Sequence, residues 1–279
     1  MLDGFFRRTL ALESQERICV EPPEVSPWDT IQVEAAELIE KEPLLRNLVS
    51  RLVCKGGTLQ QALAIRLADL LQAPGVRAAD LADLFAEIVS GNPTIAICAA
   101  RDLEAVRTRD PACETYLHAL INFKGFQALQ AHRIAHRLWL DERTELASWI
   151  SNRASLVLGP DIHPAARIGL GIMLDHGSGI VIGETAVVES DVSILQNVTL
   201  GGTGKTGGDR HPKVRQGVMI GAGAKVIGNI EIGEFSKVAA GSVVLKSVPP
   251  HCTVAGVPAQ IVRIHNAAAA PAISMDQSI

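Results

Sequence analysis

An aliphatic residue returns every six positions through the second half of this chain. Ile162, Ile168 and Leu174 open the series, Ile182, Val188, Ile194 and Leu200 continue it, and Ile220, Val226, Ile232, Val238 and Val244 complete it. A small or β-branched residue stands four positions after most of these anchors, among them Ala166, Ser178, Ala186, Val192, Ala224 and Ser242. An α-helix repeats every ~3.6 residues and a half-buried strand every ~2, so neither produces this beat. A period of six describes one flat side of a three-sided solenoid, about eighteen residues to the coil. The expected fold is a left-handed parallel β-helix.

The beat breaks twice. Leu174 and Ile182 are eight residues apart, a phase slip of two beside His176. Leu200 and Ile220 are twenty apart, one hexad plus fourteen extra residues, so Gly201–Gly217 is expected to leave the coil as a loop. Long loops on rigid repeats are usually functional or disordered.

Composition divides the chain at the same place. Eighteen of the 24 glycines lie at or after Gly159, and Phe235 is the one Phe, Trp or Tyr in that stretch. Glycine suits tight corners and branched aliphatics suit a narrow core. The first half carries amphipathic runs. Thr58-Leu-Gln-Gln61 reads as a capping box ahead of Leu63, Leu67, Leu70 and Leu71, and Gly91-Asn-Pro93 stops a following helix. The expected fold class is α+β: a loosely ordered segment 1–29, an all-α helical domain 30–158, the β-helix 159–264 with its extruded loop, and a flexible tail 265–279.

A net charge of −4 implies no general affinity for nucleic acid, although Lys205, Arg210, Lys213 and Arg215 crowd the loop. Five cysteines without a CxxC pair suit a reduced, cytoplasmic protein. The first residues lack the apolar region of a secretory signal, and no run approaches a membrane span. His132 and His136 share a helix face but have no third ligand there, so packing is the better reading.

The groups able to carry chemistry stand mostly near the breaks. Asp161 precedes His176 by fifteen residues, close to one coil. Coils stack at roughly 4.8 Å, so a carboxylate one coil below can orient the imidazole as a base. The alternative is that His176 only turns a corner, and the phase slip beside it favours the dyad. Arg210 and His211, on a glycine-rich loop, suit a carboxylate. Asp110, read from spacing alone, is a helix cap. Gly204-Lys205-Thr206 is not a phosphate loop, because Thr199 stands where that motif needs glycine.

Three groups of motifs together resemble the bacterial serine O-acetyltransferases, within the hexapeptide-repeat acyltransferases. They are Asp161-Ile-His-Pro-Ala-Ala-Arg-Ile-Gly with Gly171-Ile-Met-Leu-Asp-His176, Ile182-Gly-Glu-Thr-Ala-Val with Val198-Thr-Leu-Gly-Gly-Thr-Gly-Lys205, and Gly207-Gly-Asp-Arg-His-Pro-Lys213 with Ala255-Gly-Val-Pro-Ala259. Arg109-Asp-Pro111 and Lys124-Gly-Phe-Gln-Ala-Leu-Gln130 extend the resemblance into the helical half.

The resemblance implies transfer of acetyl from acetyl-CoA to L-serine, with His176 as general base and Asp161 as its partner. It implies Asp110 and Asp175 on the serine amino and hydroxyl groups, and Arg210 with His211 on the carboxylate. It places acetyl-CoA along Gly202, Thr203, Ala222, Lys237 and Ala240, with no metal. It further implies trimers or dimers of trimers with sites between subunits, L-cysteine as feedback inhibitor, and docking of the terminal Ile279 into O-acetylserine sulfhydrylase. Rival readings are an acyltransferase for another acceptor, a zinc lyase on the same solenoid using His163, His176 and His211, and a scaffold protein.

Overall fold

The computed structural model describes residues 26–54, 57–204, 207–266 and 269–278. Expectations for the first 25 residues, for Lys205 and for Ile279 lie outside the described residues.

The helical domain begins at α1 (Pro27–Lys41), three residues earlier than Thr30. The Ser26 hydroxyl accepts from the Trp28 N–H and proline occupies the first helical turn, both favourable starts. Short helical turns over 43–54 lead to α2 (Leu59–Leu71), α3 (Ala78–Gly91), α4 (Pro93–Arg109), α5 (Tyr116–Asn122), α6 (Lys124–Leu140) and α7 (Thr144–Leu158). Thr58 Oγ1 caps α2 at Gln61 N, 3.3 Å. One apolar cluster joins α1, α4 and α5 through Ile31, Leu103 and Leu120. A second joins α2, α3, α6 and α7 through Leu67, Phe85, Ile134 and Ile150. Fully burying such side chains is worth about 1.5–3 kcal/mol each. His132 belongs to this packing. It is buried against His136, with ring centroids 5.7 Å apart, and burial holds its pKa well below the ordinary range.

The solenoid is built of two- and three-residue strands in three sheets, with two longer strands, β14 and β15, at its end. The first is β1 (Asp161–Ile162), β4 (Val181–Ile182), β7 (Thr199–Gly201), β10 (Lys225–Ile227) and β13 (Val243–Val244). The second is β2 (Arg167–Ile168), β5 (Val187–Val188), β8 (Lys213–Val214) and β11 (Glu231–Ile232). The third is β3 (Met173–Leu174), β6 (Ser193–Ile194), β9 (Met219–Ile220), β12 (Lys237–Val238) and β14 (Cys252–Gly256), closed by the antiparallel β15 (Ala259–Ile264). Every other strand pair in these sheets is parallel. The anchors of the beat fill the core, and Leu129 of α6 joins them as a lid on the first coil.

Two corners carry ladders of left-handed residues. One runs Gly171, Asp191, Gly217, Phe235, His251; the other runs Gly179, Asn197, Gly223, Gly241. Glycine, Asp and Asn occupy most of these positions because they tolerate positive φ at low cost.

Coil length is not uniform. Asp161 pairs with Val181, twenty residues on, where eighteen is the regular step seen from Val181 to Thr199. The two extra residues fall in the corner His176–Gly179. The loop is shorter than expected. Val214 is fully buried in β8, between β5 and β11, so only 202–212 leave the coil. Leu200 to Val214 is fourteen residues, six for the coil and eight extra. Val214 was hidden between Lys213 and Arg215, whose side chains face outward.

The tail also differs from expectation. Residues 269–278 lie back on the chain, with a short helix α8 (Pro271–Ser274) and a buried Ala272. Ser193 Oγ donates to the Ala272 carbonyl, 2.8 Å, and Lys237 Nζ donates to the carbonyls of Asp276, 3.0 Å, and Ser278.

Candidate active site

Two clusters of functional side chains form, on two different corners of the prism. The first surrounds the corner after β3. His176 adopts φ 56°, and its side chain is 71% exposed. Its Nε2 lies 3.8 Å from Asp175 Oδ1. Burial raises the Asp175 carboxyl above its ordinary range, and the nearby Asp110 carboxylate adds to this while His176 opposes it. Asp110 ends α4, where its Oδ1 accepts from Ala112 N at 2.8 Å. It is therefore a C-terminal cap of α4 that also faces Asp175. Two carboxylates and an imidazole thus meet where the helical domain touches the first coil.

The expected Asp161–His176 hydrogen bond is not formed within the chain. The stacking estimate assumed an eighteen-residue coil, but this coil has twenty, so Asp161 lies beneath Val181. Asp161 remains near the same corner. A β-carbon on Gly177 would lie 3.2 Å from Pro160 Cγ, and one on Gly159 would lie 3.4 Å from the Ser178 α-carbon. Asp161 is exposed, on the outward side of β1.

The second cluster lies at the corner between the first and second sheets, where the loop returns to the coil. Thr185 organises it. Its hydroxyl oxygen accepts from Arg210 N, 3.0 Å, and His211 N, 3.1 Å, and lies 2.9 Å from His211 Nδ1. The Thr185 N–H donates to the same Nδ1, 3.2 Å. A ring nitrogen that accepts a backbone N–H carries no proton, so the neutral ring holds its proton on Nε2. Burial first, then the Arg210 charge, lowers the His211 pKa and favours that neutral form. Arg210 Nη2 donates to Glu184 Oε2, 2.6 Å, and this bond holds the Glu184 carboxyl below its usual range. Gly183 makes room for the ring, since a β-carbon there would come within 2.0 Å of His211 Cδ2.

His163 stands one coil below, edge-on to Trp139 with centroids 5.2 Å apart, and burial lowers its pKa. His163 and His211 share this cluster while His176 stands at the other one. Among the described residues no three His, Cys, Asp or Glu converge as metal ligands.

The positions assigned to acetyl-CoA divide in the same way. Ala222 and Ala240 occupy the sites equivalent to His176 two and three coils further on, each two residues after a core anchor of the third sheet. At roughly 4.8 Å per coil they lie about 10 and 14 Å along the same edge. Gly202 and Thr203 open the loop at the other corner, where a Gly202 β-carbon would lie 3.2 Å from Arg210 Cγ. Lys237 faces outward from the third sheet and is buried under the tail. Glu184, Thr185 and Gly183 escaped the sequence reading as site residues, although Ile182-Gly-Glu-Thr is the same corner one coil below the loop.

This fold is a helical domain seated on a hexapeptide-repeat β-helix, the architecture of the hexapeptide transferases. Residues 27–131 match the family model "Serine acetyltransferase, N-terminal", and residues 211–246 match "Bacterial transferase hexapeptide (six repeats)". The serine acetyltransferase of Escherichia coli K12 is 52% identical over 250 residues, covering 90% of this chain and 91% of the relative. A solved serine acetyltransferase in complex with cysteine superposes with a TM-score of 0.89 at 52% identity, covering 91% of this chain and 98% of that one. The enzyme of Brucella abortus in complex with coenzyme A gives 0.85 at 48%, covering 87% and 98%. The soybean enzyme complexed with serine gives 0.83 at 50%, covering 85% and 97%. The chain belongs to the serine acetyltransferase family of acyltransferases.

Proposed function

We propose that this protein transfers the acetyl group of acetyl-CoA to the hydroxyl of L-serine, giving O-acetyl-L-serine and CoA in L-cysteine biosynthesis. One observation carries the reading: the two corners have opposite chemistry, matched to the two ends of a zwitterion. Asp110 and Asp175 crowd their charges at one corner and suit an ammonium group, which relieves their repulsion. Arg210 and the Nε2–H of His211 suit a carboxylate at the other.

His176, at the carboxylate corner, takes the hydroxyl proton as the serine oxygen attacks the thioester carbonyl. The imidazolium then returns that proton to the departing CoA sulfur. Asp161 is assigned as the carboxylate that orients the ring, a contact of the kind that tightens when substrates bind.

The corners are separated by a flat side of the coil, on the order of 15 Å at strand rise. One copy therefore cannot close both around a serine, and a second copy packed along the solenoid would bring them face to face. A homotrimer, alone or paired as a dimer of trimers, satisfies this with three equivalent sites. Acetyl-CoA is placed along His176, Ala222 and Ala240 of one copy and Gly202 and Thr203 of the next, with Lys237 close by. L-cysteine, a smaller match to the same zwitterion site, is the proposed feedback inhibitor.

The buried thiols of Cys98, Cys113 and Cys252 are unpaired, which suits the cytoplasm as the proposed compartment. No single helix among the described residues is long and apolar enough to cross a membrane.

The test is CoA release from acetyl-CoA against serine, threonine and homoserine. Turnover with serine supports the reading, and none with any hydroxy amino acid sinks it. In the same assay Arg210→Ala is expected to raise the serine KM by about ten- to a hundredfold, the worth of a lost charge-assisted bond, with kcat changed far less. An unchanged KM moves the carboxylate elsewhere. Ile279 is proposed to dock into O-acetylserine sulfhydrylase as an extended terminus. Removing it should leave acetylation intact and abolish co-purification of the two enzymes, and undiminished complex formation excludes the terminus as the docking element.

A further inference from the structure

A buried ion pair joins the two halves of the molecule close to the acceptor site. Asp102, in the middle of α4, has no exposed surface. Its Oδ2 accepts from Arg133 Nη2, 2.7 Å, Arg133 Nε, 3.1 Å, and Gln130 Nε2, 3.0 Å, all on α6. Its Oδ1 accepts from the backbone of Ile172 in the solenoid, 2.9 Å. Arg133 also reaches the solenoid, donating to the carbonyls of Gly169, 2.7 Å, and Ile168, 3.3 Å. Burial works against the Arg133 charge, and the Asp102 carboxylate together with Cys98 more than offsets it.

Three of these bonds end on the backbone of one corner, between β2 and β3. That corner packs closely on the next coil, since a β-carbon on Gly169 would lie 2.7 Å from Ser190 N.

The placement gives the pair its use. Asp102 precedes Asp110 by eight residues on the same helix, and Ile172 precedes Asp175 by three and His176 by four. Helix α4 is tied again at its end by Arg109, whose Nη1 donates to Ser193 Oγ at 3.1 Å. Burying a charge pair stabilises a fold poorly compared with apolar packing. Directional bonds to backbone, however, fix a register that apolar contact leaves free to slide.

We propose that Asp102 and Arg133 are a positioning pair for the acceptor: they set the spacing between Asp110 on the helical domain and Asp175 with His176 on the solenoid. This rests on the reading that those two carboxylates hold the ammonium of the amino acid.

The test uses the full chain with Asp102→Leu and Arg133→Met together, which removes both charges at once and spares the fold an unpaired one. The serine KM should rise on the order of tenfold, because small displacements of a binding group are costly, while the acetyl-CoA KM stays within about twofold. A folded double variant with an unchanged serine KM overturns the proposal. So does one in which both KM values rise equally, as general loosening would produce.

If the double variant does not fold, Gln130→Met removes one bond to the same carboxylate and should raise the serine KM about threefold, again without effect on acetyl-CoA. No change there overturns the proposal too. Asp110→Asn, run in parallel, separates the two ideas. A normal serine KM in that variant overturns the acceptor reading and this proposal with it, whereas a raised one beside unaffected pair variants overturns the pair alone.

Discussion

Replacing His176 with alanine should lower kcat by about 10²–10⁴, the usual contribution of a positioned general base, and leave the acetyl-CoA KM nearly unchanged. The expectation follows from where the ring stands. The corner after β3 is two residues longer than its counterpart in the next coil, and it turns at His176 itself with φ 56°. The imidazole is thereby swung out of the wall into solvent, with Asp175 within 3.8 Å of Nε2. A structural corner residue gains nothing from such exposure. Alanine tolerates positive φ poorly, so a loss of activity could reflect a distorted corner. His176→Asn separates the effects, because asparagine accepts the left-handed conformation without offering a base. Both variants should be equally inactive in a thiol-release assay and should melt within a few degrees of the parent. An active asparagine variant would remove His176 as base.

The solenoid was legible because one-dimensional packing writes its period into the chain. Every aliphatic that set the beat lies in or against the core, from Ile162 to Val244. The exception is instructive. Val214 is fully buried, yet it sits alone between two outward-facing cations on the return of a loop, so no local pattern marked it. Missing it lengthened the expected loop and hid Thr185 and Glu184, which meet Arg210 and His211 only because 26 residues separate consecutive coils there. Spacing alone brings Asp161 and His176 toward one corner without a hydrogen bond between them, since two added residues alter which side chains stack. The nearness of Asp110 to Asp175 could not be read from spacing, because the docking of two domains brings them together. Asp102 and Arg133, which bond across that boundary, in sequence resemble any charged residues of amphipathic helices. The tail looked loose by composition, and what holds it is a buried serine and a buried lysine 70 and 30 residues or more upstream.

Gly125→Ala should cost about 10²-fold in turnover, although the substitution touches no reacting atom. Gly125 lies in the first turn of α6, pressed against the end of β3. A β-carbon there would stand 1.9 Å from the Leu174 carbonyl oxygen and 3.0 Å from its carbon. Both are backbone atoms and cannot rotate aside. Leu174 is followed directly by Asp175 and His176, so relieving the overlap by moving β3 moves the proposed base, His176. Relieving it by withdrawing α6 breaks the contact of Leu129 with the solenoid core and of Lys124 Nζ with Ser178 Oγ, 2.5 Å. Intrinsic propensity argues the other way: alanine in a helix is favoured over glycine by roughly 1 kcal/mol. Overpacking against a rigid neighbour costs typically 1–3 kcal/mol, so the clash wins and the melting temperature should fall. A displacement near 1 Å at the base is enough for the loss in rate. Gly91→Ala, at the end of α3 with nothing within 4 Å of the added carbon, is the matched control and should leave both quantities unchanged. If Gly125→Ala behaves like that control, α6 does not bear on the corner that carries His176, and the helical domain has no part in placing that side chain.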